Sequence, residues 1–140
     1  MQIPNEWIDF EKLKESPAET AASLVRIDLA DIVRTLQTHP ELFAFAAMHA
    51  EEAKIAEMKA SAEVSRVKAQ VFLDMASNDP SLPVNRLERM TDTHPDYLKA
   101  VQEHVEAAKL SRYLKRLVDS MEQRRDMIVQ IHSRQKKELS

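Results

Sequence analysis

Residues 40–77 read PELFAFAAMHAEEAKIAEMKASAEVSRVKAQVFLDMAS, with no proline after the first position and no glycine. Nothing in this stretch breaks a helix, and a helix of that length extends about 57 Å. Leu42, Ala46, His49, Ala53, Ala56, Ala60, Val64, Val67, Val71 and Met75 recur at steps of three and four. That is the seam of a coiled coil or of a long helical hairpin. Its middle residues are small, so a second helix can approach closely.

Working outward, Thr38-His39-Pro40-Glu41 has a helix-start pattern: a hydroxyl residue, a proline and an early acid. Ser16-Pro17-Ala18-Glu19 carries the same signal and predicts a helix from Pro17 to about Gln37, preceded by a short amphipathic segment with Trp7, Ile8, Phe10 and Leu13. On the other side, Ser77-Asn78-Asp79-Pro80-Ser81-Leu82-Pro83 predicts a loop. A short helix follows over Val84–Thr91. Thr93-His94-Pro95-Asp96 then repeats the start motif at an offset of 55 and opens a second long helix to about Glu138. The expected fold is all-α and a single domain. It has an N-terminal helical segment over residues 1–38 and a coiled-coil-like antiparallel hairpin over 39–140, with its loop near 77–94.

The 140 residues contain neither glycine nor cysteine. Gly-rich phosphate loops, dinucleotide fingerprints and nucleophile elbows need glycine where the backbone turns sharply or meets a ligand. Thiolate metal sites, disulfides and cysteine nucleophiles need the other missing residue. The histidines are His39, His49, His94, His104 and His132, and none lies three residues after a glutamate, the pairing used by bundle di-iron sites. No catalytic residue, metal or cofactor is expected, so the chain reads as a non-enzyme. It has no apolar run of membrane-spanning length, and its first residues lack the basic start and apolar stretch of a secretion signal, which predicts a cytoplasmic protein without a membrane partner.

Charge is unevenly distributed. Residues 1–63 carry six Lys/Arg against twelve Asp/Glu, residues 64–108 five against seven, and residues 109–140 nine against four. The last helix therefore presents a basic stripe containing Arg112, Lys115, Arg116, Arg124 and Arg125, to which the preceding helix adds Arg66 and Lys68. Spaced lysines and arginines of this kind suit phosphate contacts, which are independent of base sequence and weaken with salt. Phe72 and Tyr113 are the aromatic residues nearest to them for base stacking. Repetition of the stripe around a homo-oligomer, with Val64, Val67, Val71, Leu114 and Met121 at the interface, would multiply a weak affinity. The methionines read mainly as flexible core filler.

Several stretches resemble the phage recombination mediator family typified by UvsY. Val118-Asp119-Ser120-Met121-Glu122-Gln123-Arg124, followed by Ile128 and Ile131, is similar to the family's last helix. Asp92, Asp96 and Leu98-Lys99 fall at the entry to that helix, and Leu36-Gln37-Thr38-His39 resembles the entry to the first long one. The family's single-strand-binding Lys-Ala-Arg stretch aligns with Lys68-Ala69-Gln70, where Gln70 stands in place of the arginine and Arg66 offers a substitute on the same helix. The resemblance spans about residues 30–135. It implies a ring-like homo-oligomer that binds single-stranded DNA, helps displace single-strand-binding protein and loads a RecA-like recombinase. The alternative expectation is a phage coiled-coil scaffold, chaperone or adaptor making only protein contacts.

Overall fold

The structure, a computed structural model, describes Glu15 and residues 32–139. The expected segment containing Trp7 and Phe10, and the helix expected from Pro17, lie outside the described residues up to Ile32. The described residues form three helices and no strand: α1 over Ile32–Asn78, α2 over Val84–Asp92 and α3 over Pro95–Glu138. None of them has a positive φ, in keeping with a chain that lacks glycine. No helix among them is long and apolar enough to cross a membrane.

The connections explain why α1 stops and α3 starts where the prolines predict. The Asp79 N–H bonds back to the Met75 carbonyl at 3.1 Å, and the Asp79 carboxylate accepts from both the N–H and the hydroxyl of Ser81. Pro83 then begins α2, its carbonyl accepting from the N–H groups of Arg86 and Leu87. At the far end of α2 the expected roles of two residues shift by one. Thr93 does not cap α3: its hydroxyl donates back to the carbonyls of Arg89 and Met90. His94 is the cap instead, its Nδ1 accepting the Asp96 N–H at 3.1 Å.

The matching motif at residues 38–40 behaves differently. It was expected to start a helix, yet α1 runs continuously through Pro40. An interior proline removes one backbone hydrogen bond and crowds the carbonyl four residues earlier, at about 3 kcal/mol relative to alanine. Packing of the same stretch outweighs that cost here: Pro40 itself is exposed, but His39, Phe45 and Ala46 are all buried. Pro40→Ala is therefore expected to stabilise the protein by about 2 kcal/mol, once about 1 kcal/mol is deducted for the proline's restriction of the unfolded chain. Urea denaturation checks this. A proline that opened a helix would give no gain.

The chain divides into two compact units, one containing the described residues up to Glu51 and from Arg112, the other Glu52–Ser111. In the first unit the α3 residues Leu114, Leu117, Met121 and Ile128 are completely or almost completely buried, with Phe45 and Ala46 of α1. In the second the core is thin, consisting of Ala53, Val71, Leu87 and Ala100 with the Thr91 hydroxyl bonded to the Leu87 carbonyl at 2.8 Å. Ala56, expected on the seam, is exposed. The inward face instead follows Ala53, Ala60, Val64, Val67 and Val71, all buried or half-buried. The methionines also depart from the core-filler expectation: Met121 is buried, but Met48, Met58, Met90 and Met127 are exposed.

Candidate nucleic-acid interface

In the second unit both expected phosphate contacts already have partners. The Arg66 guanidinium donates to the two Glu63 carboxylate oxygens at 2.9 and 2.6 Å, one helical turn away. Those hydrogen bonds hold the Glu63 carboxyl below its ordinary pKa and raise that of Arg66. Lys68 Nζ lies 3.6 Å from the Asp92 carboxylate and 5.6 Å from the centre of the Tyr97 ring. All four charged groups are largely exposed, so water and salt screen them and the pairs are weak. Lys68 also shares an open groove with Phe72, Leu73, Glu88 and Asp92. Phe72 is half-buried there, which leaves little ring face for a base.

The first unit holds the stronger set. Arg112, Lys115 and Arg116 are exposed and make no ion pair with any described residue. At 100° per residue they occupy the side of α3 opposite Leu114, Leu117, Met121 and Ile128. Burial of those four side chains therefore turns the three cations outward. Asp119, three residues beyond Arg116, is the next acid on that side. Arg125 is exposed as well, 3.6 Å from the neighbouring Asp126 carboxylate. Tyr113 is half-buried.

Arg124 does not belong to this surface. It is only 7% exposed and lies on the buried side of α3 between Met121 and Ile128. Its Nη1 donates to Nδ1 of His39 on α1 at 3.0 Å. Because His39 Nδ1 accepts this bond, the ring is neutral with its proton on Nε2. Burial, followed by the charges of Arg124 and Arg125, pushes the His39 pKa down. Burial likewise lowers that of Arg124.

A histidine whose pKa falls on folding binds its proton more readily in the unfolded chain. Its contribution to stability is complete above the ordinary value near 6.5 and is lost as pH falls below it. Thermal melts from pH 7.5 to 5.5 should show a declining midpoint. His39→Gln keeps an acceptor for Arg124 without the titration and should flatten the decline.

The expected oligomer-interface residues also separate. Leu114 and Met121 are buried within the single chain and offer no side-chain surface to a second subunit. Val71 is buried in the second unit, beside a groove it shares with Val67 and Ala100, whereas Val64 and Val67 are half-buried. Among the described residues no cluster of three histidines or carboxylates is arranged to hold a metal ion. No family model, characterised protein or solved structure matches the chain.

Proposed function

We propose that this chain is a non-enzymatic recombination mediator that binds single-stranded DNA without sequence preference. The observation that carries the reading is the outward-facing set of Arg112, Lys115 and Arg116, exposed and without ion partners among the described residues. Three such cations within five residues of one helix suit contacts to a phosphate backbone. The resemblance of the last helix to the mediator family supports the same function. Arg125 extends the set. Arg66 and Lys68 are secondary contacts, because phosphate must first displace Glu63 or Asp92.

In this proposal α1 and α3 form the arms of an antiparallel hairpin closed by α2, and several subunits assemble into a ring. One subunit's few phosphate contacts bind weakly. Repetition around the ring holds the strand at high effective concentration. A strand so held is bent along the assembly, freed from single-strand-binding protein and presented for a RecA-like recombinase to nucleate. Fluorescence anisotropy with oligo-dT at 50–300 mM salt tests the core of the proposal. Binding that weakens steeply with salt is expected, and no binding at 50 mM refutes it.

A further inference from the structure

α1 carries a second apolar stripe, within the unit formed by residues 52–111, that is separate from its buried seam. Ile55, Met58 and Leu73 are 51%, 64% and 59% exposed, and Ala62 and Ala69 between them are exposed as well. Their spacing places them on the side of the helix opposite Ala53, Val67 and Val71. Read as heptads, Ile55, Ala62 and Ala69 fall at one seam position and Met58, Ser65 and Phe72 at the other. The stripe extends for about 30 Å, or three heptads. Of the six flanking positions four are charged, and all four are basic, Lys54 and Lys68 on one edge and Lys59 and Arg66 on the other, while Glu88 and Asp92 of α2 line the groove beside Lys68. Lys54 and Lys59 make no ion pair with any described residue, while the pairs of Arg66 and Lys68 are exposed.

We infer that this stripe is a docking surface for an acidic amphipathic helix of a partner protein. Lys54 and Lys59 select that occupant, and Arg66 and Lys68 add to the selection once they leave Glu63 and Asp92. A second copy in parallel would set Lys54 against its Lys59. In the antiparallel arrangement Lys54 meets Lys68 and Lys59 meets Arg66. Parallel packing thus opposes Lys54 and Lys59 at the N-terminal end of the stripe, and antiparallel packing opposes cations along both edges. A nucleic-acid strand satisfies the cations but not the stripe, whose exposed members are aliphatic and offer no ring for base stacking. A helix with apolar seam residues and glutamates on its flanks satisfies both, and Ala62, Ser65 and Ala69 are small enough to admit it closely. The surface goes beyond the DNA contacts proposed above, which centre on Arg112, Lys115 and Arg116 in the other unit.

Two labelled synthetic three-heptad peptides with identical leucine seams, one flanked by glutamates and the other by lysines, test the inference against the full-length chain. The glutamate peptide should bind, lose affinity between 50 and 300 mM salt, and bind at least tenfold more weakly to Ile55→Glu and Met58→Glu. Both substitutions are at exposed positions, and an unchanged circular dichroism melt establishes that the variants are folded. The lysine peptide should not bind. Equal binding of the two peptides, or no effect of the substitutions on the glutamate peptide, overturns the inference. Loss of self-association in Ile55→Glu by sedimentation would assign the stripe to a second copy, and loss of oligo-dT binding would assign it to DNA. Either result overturns the inference, whereas oligo-dT binding that survives in these variants leaves the DNA proposal standing independently.

Discussion

Leu117→Ala is expected to destabilise the protein by about 2–5 kcal/mol, the range for removing a fully buried leucine. Leu117 has no exposed surface and lies between Leu114 and Met121, themselves buried, at the three-and-four spacing of the α3 seam. Losing three carbons there forfeits their transfer from water and leaves a cavity that the rigid helix cannot close. Leu98→Ala removes the same atoms from a residue that is 51% exposed on the same helix, and should change stability by no more than about 0.5 kcal/mol. Chemical denaturation of the pair compares burial at constant chemistry. Against a total of about 5–15 kcal/mol for a folded domain, the first substitution should lower the denaturation midpoint markedly and the second should leave it nearly unchanged. Equal effects would mean that the α3 seam does not form the core of its unit.

The helical elements were legible where local chemistry acts alone. Asp79, Pro80 and Pro83 end one helix and begin another whatever packs around them, and Pro95 starts α3 as its sequence motif predicts. The same motif failed at Pro40 because a proline after a polar pair is compatible with the first turn of a helix or with its interior. The choice depends on burial of His39 and Phe45, a tertiary fact that residues 38–41 do not encode.

Arg124 was misread for a different reason. Counting charge along α3 grouped it with Arg125, whereas its spacing from Met121 and Ile128 places it on the apolar seam. That spacing is visible in the sequence and would have separated the two arginines. Its partner His39, 85 positions away, would not have been identifiable. The outer stripe of α1 was hidden by a related ambiguity. Methionine and alanine suit a core and a docking surface equally, and only the exposure of Met58 and Ile55 distinguishes them.

The largest expected effect on binding comes from reversing Arg112, Lys115 and Arg116 together to glutamate. For single strands, log K falls with log salt by about 0.7 for each phosphate contact, so removing three contacts should reduce the slope by about 2. At 50 mM salt, the same dependence extrapolated from 1 M corresponds to a loss of roughly 10²–10³-fold in affinity for oligo-dT, before repulsion by the new carboxylates is counted. All three side chains are exposed on the side of α3 away from its core, so the variant should melt within a few degrees of the parent. Arg124→Leu provides the contrast. That residue is buried against His39, so its loss should alter stability and the pH response while leaving the salt slope of DNA binding unchanged. A triple variant that binds oligo-dT as tightly as the parent, with the same salt slope, would remove these cations from the DNA path. A protein that makes only protein contacts would bind no DNA in either form, and the parent titration alone identifies that case.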